Sequence, residues 1–182
     1  MTGEATLEVI RTRRVIRNMS DRRVERPLLE AVLEAGRWSP VGGNQRVIRF
    51  VAVDEPHLLR QIRMMSPGMA QEPTAMIVLC LDAAAVEANG FSPTDIAPQM
   101  DLGAAMQTML LAAHAQGLAS GPVTSFAHAG VRVILNLPAR LSPEVIVTLG
   151  YKGDGGQMAM SGGRGRVTWQ SLTDWGRYPD QA

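Results

Sequence analysis

Leu7, Val9 and Ile10 begin an amphipathic pattern that runs into a group of arginines, and its spacing predicts a helix ending near Arg13. Pro27 suits the first turn of a second helix carrying Leu28, Leu29, Val32 and Leu33. Gly36 and the stretch Ser39-Pro40-Val41-Gly42-Gly43-Asn44 stop helical structure, and the β-branched run Val47 to Val53 reads as a strand. Asp54 followed by Pro56 resembles a helix start, with Leu58, Leu59 and Ile62 on one face, and Ala75 to Leu81 is a second buried strand. Ala97 to Gly117 is apolar nearly all round and is expected to be a buried helix in the middle of the fold. Leu118 to Phe126 reads as a glycine-interrupted strand, Ala127 to Leu135 as a short helix, and Glu144 to Tyr151 as a fourth strand. This alternation argues for an α/β or α+β sheet.

The 182-residue length favours one domain over two, so residues 1–182 are taken as a single unit. After Tyr151 the composition turns glycine-rich, and residues 151–167 are expected to form a flexible arm. Eighteen basic against 17 acidic residues leave no polyelectrolyte drive toward nucleic acid. The lone Cys80 permits no internal disulfide and no thiolate cluster, which fits a reducing, cytoplasmic setting. No segment reaches the roughly 18 consecutive apolar residues of a membrane span, so a soluble chain with no membrane partner is expected.

Local charge narrows the picture. Arg11, Arg13, Arg14, Arg17, Arg22, Arg23 and Arg26 outweigh the acids around them, and Arg164 and Arg166 stand in the glycine-rich arm. Each group alone fits a solvated face. Together they also fit a phosphate, whose oxygens match guanidinium forks. His57, His114 and His128 lack the spacing of metal ligands. His114 fits a hydrogen-bonded core position, and His128 a pocket border. Met64, Met65 and Met69 fit core packing or an adaptable mouth. Asp101 is expected to cap the long helix without a catalytic role.

Several short motifs, in order, are similar to those of the nitroreductase family. Arg11-Thr12-Arg13-Arg14-Val15-Ile16-Arg17 resembles its arginine-arginine-serine-x-arginine opening, and Trp38 to Arg46 its alanine-proline-serine-x-x-asparagine-x-glutamine loop. Asp101 to Leu118 resembles its central helix, Gly121-Pro122-Val123-Thr124-Ser125-Phe126 its strand beside the flavin, and Val147 to Tyr151 its closing strand. Arg164-Gly165-Arg166 matches its closing basic pair. The likeness runs from about Leu7 to Arg166 and departs at Val15, Val41 and Arg46, which stand where the family has serine, serine and glutamine. Relatives that fragment their own flavin have aspartate at the place of Val15, so that chemistry is disfavoured.

The resemblance implies an α+β fold, with a central mixed β-sheet flanked by helices and a buried central helix, in a homodimer. It further implies FMN at the subunit interface, reduced at N5 by NADH or NADPH and reoxidised by a small conjugated acceptor such as a nitroaromatic or quinone. The residues implied for the phosphate are Arg13, Arg14, Arg164 and Arg166. Val15 and Arg17 would stand at the ring edge, with Pro122, Val123, Thr124 and Ser125 beside the flavin. Thr124 and Ser125 are the candidates for tuning N5. Pro40, Val41, Gly42 and Asn44 would reach the flavin of the partner subunit. No glycine-x-glycine-x-x-glycine turn follows a strand, as expected if nicotinamide only visits the flavin face. A flavin-sequestering protein without turnover and a specialised biosynthetic oxidase remain the alternatives.

Overall fold

The computed structural model describes residues 3–154 and 167–176. Helices α1 (Gly3–Thr12) and α2 (Arg26–Arg37) lead to strand β1 (Ile48–Val53), helix α3 (Pro56–Met64) and strand β2 (Ala75–Asp82). A short helix α4 (Ala83–Ala88) and the long α5 (Ile96–Ala115) precede β3 (Ala119–Val123), α6 (His128–Ile134) and β4 (Leu141–Gly150). The strands form one sheet in the order β1-β2-β4-β3.

Every described pair of strands is antiparallel, which corrects the expected mixed sheet. The cause lies in the connections. Helix α5, about 30 Å long at 1.5 Å per residue, returns the chain along the sheet, so β3 points the same way as β2. Strand β4 then lies between them and separates the two co-directional strands.

All eight residues of β2 are buried, and its two-residue period divides the core. Ala75, Ile77, Leu79 and Leu81 join Leu29 and Val32 of α2 and Leu102, Met109 and Leu110 of α5. Met76, Val78 and Cys80 face the other way, toward Leu59 and Ile62 of α3 and Val131 of α6. The sheet is thus the middle of three layers. Burial, with a smaller contribution from Glu144, pushes the Cys80 thiol up to about 12, so it stays protonated.

Helix α5 ends where Gly117 takes a left-handed φ of +76°. Its N–H donates to the His114 carbonyl and that of Leu118 to Ala113, the paired bonds of a Schellman stop that feeds the chain into β3. Strand β4 begins at Leu141, earlier than Glu144, because a register shift opposite Leu79/Cys80 accommodates Pro143. Strand β3 ends at Val123, earlier than expected. Helix α4 escaped the sequence reading; Asp82 caps it, accepting from the Ala85 N–H at 3.4 Å. No helix among the described residues is long and apolar enough to cross a membrane.

Candidate functional site

The segment after α1 runs across one end of the sheet. Ile16 N–H donates to the Ser120 carbonyl at 3.1 Å, which holds residues 13–17 alongside β3. Farther on, Ser20 N–H donates to the Tyr151 carbonyl, Gly153 N–H to that of Asn18, and Met19 bridges Lys152. The arm expected to be flexible from Tyr151 onward therefore starts as a paired segment. Arg164 and Arg166, with the rest of 155–166, lie outside the described residues.

Arg13, Val15 and Arg17 are half-buried and Arg14 is exposed. The Arg14 guanidinium turns back, donating to the carbonyls of Arg11 and Arg13 at 2.7 and 2.8 Å, where it complements the C-terminal end of α1. Val15 packs tightly: its Cγ1 lies 2.9 Å from where a Cβ on Gly121 would stand. The amide nitrogen of Gln71 lies 2.8 Å from the same point. Gln71 is 2% exposed, and its buried Oε1 has no hydrogen-bond partner. Sequence reasoning missed this residue, because nothing in the segment before β2 signals a buried amide.

Thr124 and Ser125 leave the sheet and are exposed on the loop between β3 and α6, whereas Pro122 and Val123 remain in β3. This corrects the strand expected to Phe126. The loop is braced from behind: Gly68 N–H donates to the Ser125 carbonyl at 3.2 Å and Ala127 N–H to Met65 at 2.7 Å. A Cβ on Gly68 would lie 2.7 Å from that of Ser125, so the brace has little slack. Phe126 is buried, and exposed His128 stacks on it at 4.4 Å. Of Met64, Met65 and Met69, only Met69 is buried; Met64 is 72% exposed.

The Pro40–Asn44 loop sits elsewhere. Gly43 and Asn44 both adopt φ of +57°, a left-handed pair that glycine and asparagine tolerate best. Both carboxylate oxygens of Asp101 accept from the Gly42 N–H at 3.0 Å. Asp101 thus anchors this loop and does not cap α5, which starts five residues earlier at Ile96. Val41 lines a cavity of about 400 Å³ with Arg37, Arg46 and Arg49. The hydrogen bonds of this loop tie it to α2 and α5, and those of 13–17 tie that segment to α1 and β3. His114 makes the expected hydrogen bond, its Nε2 2.9 Å from Thr12 Oγ1 joining α5 to the end of α1, but it is half-buried and does not take the expected core position.

Behind the arginine segment, Arg22 stacks 3.9 Å over the Tyr151 ring and pairs with Glu25 at 2.7 Å, and the Tyr151 hydroxyl also donates to Glu25. The Tyr151 and Arg22 hydrogen bonds hold the Glu25 carboxyl down at about 2, against an ordinary 4.5. A lowered folded-state pKa contributes stability above 4.5 that is lost as pH falls through about 2. Glu25→Gln is therefore expected to melt below the native chain near neutral pH, with the gap closing between pH 4.5 and about 2. A gap that widens on acidification would contradict the pairing; its size is small because the pair is solvent-exposed.

Comparison with known proteins places this geometry in a family. The chain matches the family model described as "Nitroreductase family" over residues 10–89 and 66–151. A protein of Methanothermobacter thermautotrophicus provisionally named NADH dehydrogenase/NAD(P)H nitroreductase is 30% identical over 153 residues, covering 80% of this chain and 76% of its own. Among solved structures, a nitroreductase family protein from Clostridium difficile 630 superposes with a TM-score of 0.79 at 24% identity, covering 94% of this chain and 98% of that one. An FMN-dependent nitroreductase from Clostridium difficile R20291 gives a TM-score of 0.76 at 20% identity, covering 94% and 99%. With the family model matched along most of the chain and the fold shared with these solved structures, the chain belongs to the nitroreductase family.

Proposed function

We propose that this chain is an FMN-dependent NAD(P)H oxidoreductase that reduces a small conjugated acceptor, a nitroaromatic or quinone, as a homodimer with the flavin between subunits. The observation that carries the reading is the Ile16–Ser120 hydrogen bond, which sets an arginine-rich segment beside the strand leading to Thr124 and Ser125. The residues fit the group. Arg13 is half-buried in the segment held against β3, and Thr124 and Ser125 are exposed on a loop braced at Gly68. The names of the Methanothermobacter relative and the FMN-dependent neighbour support the same donor and cofactor.

Bound FMN would supply hydride acceptance and donation at N5. Arg13, with Arg164 and Arg166, would hold its phosphate through charge-assisted forks, and Arg14, whose guanidinium serves the carbonyls at the end of α1, would contribute less. Thr124 and Ser125, on a loop braced by Gly68 and Met65, would stand near N5 as tuning groups. The Pro40–Asn44 loop of a second copy, fixed by its own Asp101, would cover the ring and exclude water. Arg17 would place a cation at the ring's polar edge, favouring the reduced, more negative form. Arg17→Ala is expected to lower the flavin midpoint potential by about tens of millivolts, the scale of one partly screened charge at close range; an unchanged potential removes Arg17 from that role.

Binding without turnover is the second reading, favoured by Val15, which offers methyl groups and packs on Gly121. The visible spectrum of the purified protein and the mass of its released chromophore test both. FMN with NADH or NADPH oxidation on adding a quinone supports the enzyme, and FMN without oxidation supports the carrier. A colourless protein that takes up no added FMN overturns both.

A further inference from the structure

Residues 40–44 are fixed at both ends and latched in the middle. On one side Ser39 is buried, and its N–H and hydroxyl both donate to the Gly36 carbonyl; on the other, the Val47 carbonyl accepts from the Asp82 N–H. Gly42, Gly43 and Asn44, between these ends, are exposed. Among the described residues, the hydrogen bonds of 40–44 stay within 40–45 except at Gly42, whose N–H donates to both carboxylate oxygens of Asp101, each at 3.0 Å. A cavity of about 160 Å³ lies beside this bond, between Gly42 and Gly43 on the loop and Phe91 and Pro98 opposite. The tip therefore has room to shift, and a charge-assisted bond to the half-buried Asp101 holds it in place. Asp101 follows Met100, which is 66% exposed, so the latched loop stands beside the uncovered apolar face of α5.

We propose that Asp101 is a positioning residue that acts across the subunit interface: by fixing Gly42, it sets how closely residues 40–44 of one protomer close over the flavin of its partner. That role rests on the flavin-bearing homodimer proposed above. Asp101 itself touches neither the flavin nor the acceptor. Its charge matters, because a carboxylate accepts from a backbone N–H roughly twice as strongly as a neutral amide oxygen does.

Asp101→Ala removes the latch and Asp101→Asn weakens it. The flavin-free melting temperature and the dissociation constants of FMN and riboflavin, by fluorescence titration, are measured for both. Asp101→Ala is expected to bind FMN and riboflavin about 10-fold more weakly, as for the loss of one hydrogen bond to a charged group, with Asp101→Asn between it and the native chain. The two ligands lose alike because the loop covers the ring and leaves the phosphate to the arginines. The flavin-free melting temperature falls little, since Gly42 is exposed and its N–H returns to water. A mixed dimer then reads the direction of the effect. Each site takes Arg13 from one chain and the loop from the other, so a heterodimer of one Asp101→Ala and one Arg13→Ala protomer, isolated through two different affinity tags, carries both defects in one site and neither in the other. It is expected to bind one FMN with native affinity, although neither parent homodimer does. Two weakened sites in the heterodimer would assign Asp101 to the flavin of its own protomer and overturn the proposal. Native flavin affinity in Asp101→Ala, or a large fall in its flavin-free melting temperature, overturns it as well. A native protein that binds no FMN, or that holds it as a monomer, overturns the reading on which the role rests.

Discussion

Arg13→Ala is expected to bind FMN about 10- to 100-fold more weakly than the native chain, the range for removing one hydrogen bond to a charged group. Arg14→Ala is expected to lose much less. The two neighbours carry the same charge but differ in placement. Arg13 is half-buried, in the segment that Ile16 pins to β3. Arg14 is exposed, and its guanidinium already serves the carbonyls of Arg11 and Arg13. Arg13→Lys should fall between native and alanine, because an ammonium retains charge but loses the planar fork. Titration of the flavin-free proteins, with riboflavin as the control lacking phosphate, separates the effects: the Arg13→Ala deficit should shrink sharply for riboflavin. Equal losses for both ligands would assign Arg13 to the ring, and no loss would detach the arginine segment from the cofactor.

That contrast was hidden in the sequence, where Arg13 and Arg14 look equivalent, since their difference depends on how the last turn of α1 is capped. What periodicity determines was legible. The buried run of β2 and the all-round apolar α5 follow from continuous hydrophobicity, and the loop at 39–44 from its glycines and proline. Features set by distant pairing were not. Thr124 and Ser125 continue a strand-like run, but β4 stops pairing at Val123 and the loop is held by Met65 and Gly68. Asp101 looked like a helix cap because its partner, Gly42, lies 59 positions away. The sheet direction depended on the return path of α5 and on β4 entering between β2 and β3. Gln71 gave no signal, because an orphaned acceptor is defined by what packs around it.

In the homodimer proposed above, Gly103→Arg is expected to leave folded monomers that no longer hold FMN. Helix α5 is apolar nearly all round, yet only part of it is covered by α2, the sheet and the end of α1. Ile96, Met100, Gly103 and Gln107 follow one another at helical spacing, with Ile96 76% and Met100 66% exposed. A Cβ on Gly103 would meet nothing within 4 Å, so in a single chain the larger side chain has open space. Arginine also has a better helix propensity than glycine, by about 0.5–1 kcal/mol, so the flavin-free protomer should melt no lower. Across a two-fold interface the same charge appears twice on facing apolar surfaces, and burying it unpaired costs several kcal/mol. The dimer dissociation constant should therefore rise about 100-fold or more, as read by light scattering. FMN should be lost in parallel, because a monomer would lack the Pro40–Asn44 loop that the proposed second copy supplies. A variant that stays dimeric moves the interface off this face of α5. A monomer that holds FMN with native affinity would mean that one chain completes the site by itself.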